Sequence, residues 1–171
     1  NYSINSIPAT PTAPTVVNNC GSTVLTKGTT PAGTTLYWQS SSTGTSTSNS
    51  SPKVTRTSGT VYYIRAKNNT TGCWGAVRTV NYTVNAVPIT PVAPTVANSC
   101  GSTVLTKETS PSGFTWYWQN AIDGESTGNS STSITRNSGT VYYLRARNNS
   151  TGCWSVARTV NYSVNAVPST P

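Results

Sequence analysis

Hydrophobic and polar residues alternate along the chain in short runs, and each run is bounded by turn-forming residues. Alternation with a period of two predicts β-strands. In the first half of the chain, five runs have this pattern: 22–27, 34–39, 53–57, 61–68 and 74–84. The last is the longest, and no run has the 3.6-residue period of an amphipathic helix. The pattern therefore predicts an all-β, antiparallel structure.

Two kinds of segment connect the predicted strands. The segment 40–52 is rich in Ser and Thr and of low complexity, and it is expected to be a mobile loop without chemistry. Prolines recur every third residue at Pro8, Pro11 and Pro14. This spacing is that of a stiff polyproline II connection, whereas an edge strand, which tolerates Pro, is the alternative.

The second half of the chain repeats the first at an offset of 80 residues. Aligning 11–80 with 91–160 needs no gap and gives 46 identities in 70 pairs. Self-similarity at a fixed period sets the size of the structural unit. We therefore expect a repeat at 8–87 and another at 88–167.

The opening of the chain also matches the repeat. Residues 1–8 (NYSINSIP) resemble 81–88 (NYTVNAVP) and 161–168 (NYSVNAVP). Residues 1–7 are accordingly interpreted as the tail of a preceding repeat, and 168–171 as the start of the next linker. The sequence is expected to be part of a longer tandem array.

Composition limits what each repeat can bury. Only 34% of residues are hydrophobic, so a repeat of this size has a thin core that covalent links would help to stabilise. No apolar run approaches the 18 residues of a membrane span, and the first residues lack a basic and then apolar targeting pattern. Membrane insertion is not expected.

The segment 58–66 (SGTVYYIRA) resembles the sixth strand of immunoglobulin domains. Tyr62 and Tyr142 match the corner tyrosine of that family, and Trp38 and Trp118 match its buried third-strand Trp. Leu36 and Trp116 share the inward phase of these tryptophans. The resemblance implies two tandem immunoglobulin-like β-sandwich domains of about seven strands each.

The chain departs from antibody domains at one position. Ile64 and Leu144 occupy the place of the inter-sheet cysteine, so the antibody-type disulfide is absent. The variant pattern, with Cys-Gly at the start and Gly-Cys near the end of each repeat, is similar to Ig-like repeats of large secreted and surface proteins of Bacteroidetes bacteria. Those repeats occur in adhesins, filament proteins and multidomain hydrolases.

Four cysteines, Cys20, Cys73, Cys100 and Cys153, occupy equivalent positions in the two repeats. An even number at repeated positions predicts a disulfide framework. The expected pairing joins cysteines within a repeat, Cys20 with Cys73 and Cys100 with Cys153. In an immunoglobulin sandwich those turns lie at opposite poles, so the alternative is a bond between successive repeats, Cys20 with Cys153.

Acid-base groups are scarce. Histidine is absent, and the three acids Glu108, Asp123 and Glu125 all lie in the second repeat without a counterpart in the first. A function shared by both repeats cannot depend on them, and general acid-base catalysis needs such groups. We therefore expect neither an enzyme, nor a metal site, nor a cofactor.

The net charge of +8 is spread evenly, with six cations in the first repeat and five in the second. This is too dilute to predict nucleic-acid binding. One strand face nevertheless combines aromatic, amide and cationic side chains, which could contact a polysaccharide. The candidate ligand face consists of Tyr37, Gln39, Tyr63, Arg65 and Lys67 with Tyr117, Gln119, Tyr143, Arg145 and Arg147.

Two functions remain. The first is a non-catalytic extracellular repeat, serving as spacer, stalk or filament module of a bacterial surface adhesin or secreted multidomain protein, with neighbouring repeats of the same chain as partners. The second is a carbohydrate-binding module that uses the candidate ligand face. Ordinary cross-strand pairing would explain that face equally well without any ligand.

Overall fold

The computed structural model describes residues 4–168. The chain divides into two compact units, with the division between Asn85 and Ala86, two residues before the predicted boundary. Residues 1–3 and 169–171 lie outside the described part, so most of the expected C-terminal linker and part of the expected N-terminal tail fall outside it as well.

Unit 1 is a β-sandwich of two three-stranded antiparallel sheets. Its strands are β1 (Thr15–Asn19), β2 (Ser22–Thr26), β3 (Thr34–Gln39), β4 (Lys53–Arg56), β5 (Val61–Asn68) and β6 (Arg78–Asn81). One sheet has the order β1-β2-β4 and the other β3-β5-β6. The chain crosses between the sheets after β2, after β3 and after β4.

Unit 2 has the same arrangement. Its strands are β7 (Thr95–Ser99), β8 (Ser102–Thr106), β9 (Phe114–Gln119), β10 (Ser133–Arg136), β11 (Val141–Asn148) and β12 (Arg158–Asn161). The sheets are β10-β8-β7 and β12-β11-β9. The predicted all-β class with two immunoglobulin-like sandwiches is confirmed, although each unit has six named strands in the described residues rather than about seven.

The last strand is shorter than predicted. Instead of spanning 74–84, β6 contains four residues, and Trp74 makes an isolated bridge to Lys67. The chain leaves the ladder at Gly75, which packs so closely against the entering segment that a Cβ there would lie 2.5 Å from the carbonyl oxygen of Pro8. Apolar alternation continues in the sequence, but the ladder stops here, and in unit 2 it stops at the equivalent Ser155 as well.

The core of unit 1 lies between its two sheets. Leu25 and Ile64 are fully buried and Trp38 is 2% exposed, and all three belong to one hydrophobic cluster. Trp38 and Ile64 face each other across β3 and β5. Because strand side chains alternate between faces, this inward set leaves Tyr37, Tyr63 and Arg65 on the outer face.

The segment 40–52 is tied to the sheet, contrary to the expected mobile loop. The indole Nε1 of Trp38 donates to the Ser51 carbonyl at 3.0 Å, and the Trp38 amide donates to the Asn49 carbonyl at 2.9 Å. Trp118 makes the same two bonds to Ser131 and Asn129, each at 2.9 Å. The core tryptophan thus anchors this loop in both units.

The tyrosine that bonds back to the corner backbone is not the one predicted. The hydroxyl of Tyr82 donates to the Ser58 carbonyl at 2.8 Å, and Tyr162 donates likewise to Ser138 at 2.9 Å. Tyr62, the expected corner residue, instead stacks on Trp38 with ring centroids 5.8 Å apart. Tyr142 stacks in the same way on Trp118 at 6.0 Å. The assignment of Tyr62 and Tyr142 to the corner was therefore wrong.

The proline-rich entry segment packs against the sandwich without joining a sheet. β1 begins at Thr15, after the last proline of the series, so the edge-strand interpretation does not hold for 8–14. Pro11 is buried, and its carbonyl accepts a hydrogen bond from Arg78 Nε at 3.0 Å. This contact fixes the segment to β6.

Candidate functional site

The outer face of the β3-β5-β6 sheet carries a cluster of aromatic and cationic side chains. Tyr37 lies opposite Arg65 across the ladder, and Lys67 bridges to Trp74. The Tyr37 and Trp74 rings are 5.6 Å apart and tilted by 60°. We call Tyr37, Arg65, Lys67 and Trp74 the outer cluster.

Arg65 holds the outer cluster to its surroundings. Its Nε donates to the Gly75 carbonyl at 2.9 Å and its Nη1 donates to the Gly44 carbonyl at 3.0 Å. The guanidinium carbon also lies 5.5 Å from the Trp74 ring centroid. Because these donors already bond to two backbone segments, Arg65 joins the loop 40–52 to the segment after Trp74.

Unit 2 repeats the outer cluster with Tyr117, Arg145, Arg147 and Trp154. Arg145 donates to the carbonyls of Ser155 and Gly124, each at 2.8 Å. Tyr117 and Trp154 have ring centroids 5.5 Å apart. Arg145 also approaches Glu125 at 3.9 Å, but this carboxylate side chain is 63% exposed and the ion pair adds little stability.

Trp74 and Trp154 were not among the predicted face residues. The signal was present in the sequence: the turn at 68–73 folds the chain back on β5, so the residue after Cys73 returns beside Lys67. An aromatic ring at that position covers the alkyl chains of its cationic neighbours. Lys67 Nζ lies 5.7 Å from the Trp74 centroid, within the range of a cation–π contact.

Gln39 and Gln119 do not belong to the ligand face. Both are 2% exposed. The carboxamide of Gln39 accepts from the Ser46 amide at 3.0 Å and donates to the Ser46 carbonyl at 2.7 Å. Gln119 makes the same pair of bonds to Ser126. These glutamines act as clasps for the loop, and the prediction that they face a ligand was wrong.

The two units differ in their cavities. Unit 2 contains a largely apolar cavity of about 270 Å³, whose lining includes Phe114, Trp116, Pro88 and Asn148. In the sequence, Thr34 and Leu36 replace Phe114 and Trp116 in unit 1. A ligand held by these aromatic rings would therefore be specific to unit 2.

A polar cavity of about 270 Å³ in unit 1 borders Lys27. The Lys27 ammonium donates a hydrogen bond to the Leu36 carbonyl. Burial lowers the pKa of Lys27 from its ordinary value, and it also lowers the pKa of Lys107, which is 7% exposed. The hydrogen bond of Lys27 holds the end of β2 to β3, which indicates a structural role for this lysine.

The cysteines are in two different states. Cys20 and Cys153 are disulfide-bonded, whereas Cys73 and Cys100 carry free thiols. Either within-repeat disulfide would consume one of the free thiols, so that pairing was wrong.

Strand geometry explains why the within-repeat pairing fails. Cys20 lies two residues before the start of β2. The Cys73 carbonyl accepts a hydrogen bond from the amide of Asn68, which pairs with the first residue of β3. The five residues of β2 separate these ends by about 17 Å at 3.4 Å per residue. A disulfide needs Cα atoms within about 7 Å.

Other chemistry is not indicated within the described residues. No group of three His, Cys, Asp or Glu side chains in 4–168 could hold a metal ion. The same residues include no helix of the length and apolarity that a membrane crossing requires.

Comparison with known proteins adds a weak structural likeness. No protein-family model matches the chain, and no curated protein does. Among solved structures, the FN1-FN3 domains of chicken CNTN1 match with a TM-score of 0.41 and 12% sequence identity, covering 91% of this chain and 67% of that one. A score this low carries no functional argument.

Proposed function

We propose that the chain is a non-catalytic structural part of a longer extracellular array, serving as spacer, stalk or filament module of a bacterial surface adhesin or a secreted multidomain protein. The proposal depends on the hydrogen bonds that Arg65 and Arg145 make. Both are the central cations of the candidate ligand face, and both bond to backbone carbonyls of two loops. The face thus serves cohesion of the sandwich.

The comparison of the repeats supports the same function. Contacts made by residues that both repeats share, such as the Gln39 and Gln119 clasps, have equal lengths in the two units. The acids, by contrast, occur only in unit 2. A β-sandwich that contains disulfide-bonded cysteines is typical of extracellular domains, which favours that location.

The alternative is a carbohydrate-binding module. The specific observation in its favour is the aromatic pair of Tyr37 and Trp74, flanked by the Lys67 ammonium. Sugar sites combine exposed aromatic faces with a few fixed polar groups. Here the polar donors nearest the rings are largely committed to the backbone, which leaves a small platform.

Glycan binding and cell attachment distinguish these functions. A face variant should remove half-buried side chains of the candidate ligand face and spare Arg65 and Arg145: Tyr63→Ser, Lys67→Ser, Tyr143→Ser and Arg147→Ser. A matched control changes the outer face of the other sheet, where two pairs lie opposite each other: Val24→Ser with Thr55→Ala, and Val104→Ser with Thr135→Ala.

For a spacer, we expect whole-cell attachment to be the same for both variants and the unmodified protein. The isolated chain should show no saturable binding to neutral polysaccharides. Binding to acidic ones should be weak and disappear in high salt, because exposed charges are screened beyond about 8 Å at physiological ionic strength. Salt-resistant glycan binding that the face variant loses and the control keeps would establish the carbohydrate-binding module instead.

A further inference from the structure

The polar cavity of unit 1 lies where β2 ends and β3 begins, and its volume is about 270 Å³. Its lining includes five hydroxyl-bearing side chains: Thr26, Thr30, Thr34, Thr35 and Ser50. Small-molecule sites combine an enclosed volume of this order with a few polar groups that fix the orientation of the ligand. The cavity therefore suits a polar ligand of about the size of one sugar ring.

Lys27 supplies the charge in the wall of this cavity. Among the described residues that line it, Lys27 alone is charged, and its side chain is half-buried. The ammonium donates one hydrogen bond to the carbonyl of Leu36, which also lines the cavity. An ammonium has three N–H donors. Two donors are therefore left for an acceptor that enters the cavity.

No carboxylate of unit 1 balances this charge. All three acids of the chain lie beyond residue 85, so unit 1 contains no Asp or Glu. Burial lowers the pKa of Lys27, because the charged form loses hydration there without gaining a counter-ion. Lys53 pairs with Thr26 across β4 and β2 and adds a second, exposed cation beside the cavity. The surroundings of Lys27 thus favour an anion.

We propose that this cavity binds a small hydroxycarboxylate of the uronic acid class, with its carboxylate on the Lys27 ammonium and its hydroxyl groups on the Thr and Ser side chains of the wall. One ammonium complements one carboxylate, and such charge-assisted hydrogen bonds are stronger than neutral ones. Ser and Thr hydroxyls both donate and accept, as sugar hydroxyls do. The site shares no residue with the candidate ligand face and does not depend on the proposed function.

The equivalent region of unit 2 provides an internal control. Three replacements distinguish it from the cavity of unit 1: Thr34 by Phe114, Gly28 by Glu108 and Lys53 by Ser133. The first exchanges a hydroxyl for an aromatic ring, and the second adds a carboxylate that repels an anion. Lys107, the equivalent of Lys27, is only 7% exposed. Unit 2 should therefore not bind the same ligand.

Amide NMR spectra of the isotope-labelled chain test the proposal with both units in one sample. Sodium D-glucuronate, added through the millimolar range at constant ionic strength, should shift the signals of Lys27, Thr34 and Thr35 in a saturable way. The signals of Lys107 and Thr115 should not move. D-glucose has the hydroxyls without the carboxylate and should give no such shifts. Acetate lacks the hydroxyls and should bind at least about fivefold more weakly.

Variants locate the binding within the cavity. Lys27→Met should weaken glucuronate binding at least about tenfold, because the charge-assisted hydrogen bond is lost. Thr34→Phe gives unit 1 the residue of unit 2 and should weaken binding similarly while keeping the ammonium, so it tests the site even if Lys27→Met fails to fold. The matched control is Lys53→Met, which should weaken binding less than about threefold, because salt screens an exposed charge.

Several results would overturn the proposal: no saturable shift at Lys27, equal shifts at Lys107, equal binding of D-glucose and D-glucuronate, or equal losses from Lys53→Met and Lys27→Met. A Thr34→Phe variant that keeps full affinity would do so as well. Equal affinity for acetate would overturn the assignment to a hydroxycarboxylate. The face variant should bind D-glucuronate as the unmodified chain does, so this site and the proposed function fail separately.

Discussion

The two units share one architecture, and comparing the residues that differ with those that are identical shows which side chains the fold requires. Their shared contacts match closely, as in the loop anchors of Trp38 and Trp118, at 3.0 and 2.9 Å. The differences are densest in the loop 40–52, and two others change packing: Leu36 is replaced by Trp116 and Gly75 by Ser155. The identical residues therefore maintain the fold. Any function common to both units must use side chains that remain exposed in both.

The strongest test of this equivalence is to remove the core tryptophan from each unit. Trp38→Ala and Trp118→Ala should each destabilise their own unit by about 3 to 5 kcal/mol, because a large buried side chain and a loop anchor are lost. Chemical denaturation followed by tryptophan fluorescence measures this. An unchanged midpoint in one variant would show that the units do not share the same core.

Exchanging the residues that differ after the tryptophan hairpin should break the symmetry. Gly75→Ser places a Cβ at 2.5 Å from the Pro8 carbonyl, which requires a backbone shift and should cost about 1 to 3 kcal/mol. Ser155→Gly removes a hydroxyl that accepts from the Ala146 amide at 2.9 Å, and should cost about 1 kcal/mol. Denaturation midpoints compare the two, and a larger loss for Ser155→Gly would contradict the proposed packing of the entry segment.

Releasing the glutamine clasp should have equal, smaller effects in both units. Gln39→Ala and Gln119→Ala each remove two hydrogen bonds that hold a surface loop, for about 1 kcal/mol of stability. The clearer readout is limited proteolysis, with faster cleavage within 40–52 or 120–132. If the unmodified chain is already cleaved there at the same rate, the clasp does not order the loop.

The smallest effect concerns the buried lysines. Burial lowers the pKa of Lys27 and Lys107 in the folded state, so the unfolded chain binds more protons between that lowered value and the ordinary one. Stability contributed by these groups therefore rises as the pH increases through that window. The double variant Lys27→Met, Lys107→Met is the reference, and its denaturation midpoint is compared with that of the unmodified chain at about pH 8 and at about pH 10. At the higher pH, the midpoint of the unmodified chain should rise relative to that of the variant. A midpoint difference that does not change with pH would show that burial of these lysines does not affect the stability of the chain.

Local patterns in the sequence were enough to predict much of the fold. The runs 34–39 and 61–68 coincide with β3 and β5, because alternation there continues uninterrupted between turn residues. The same alternation predicted too long a β6, since nothing in the sequence near Gly75 signals that the Pro8 backbone packs against it. Period two thus locates strands but not their interruption by contacts distant in sequence.

The candidate site was less predictable for the same reason. Tyr62 and Tyr82 both occupy inward phases, and only the fold shows which hydroxyl reaches the corner backbone. Gln39 follows the core Trp38 at an outward phase, yet the returning loop covers it. The loop at 40–52 has a composition typical of disorder, but its backbone supplies acceptors to Trp38, Gln39 and Arg65.

The central proposal is that the outer face of each unit holds its sandwich together and does not serve as a ligand site. The most direct test is the glycan-binding measurement with the face variant and its matched control from the other sheet. The account predicts no saturable, salt-resistant binding by the unmodified chain or by either variant. Salt-resistant binding that the face variant loses and the control keeps would contradict it.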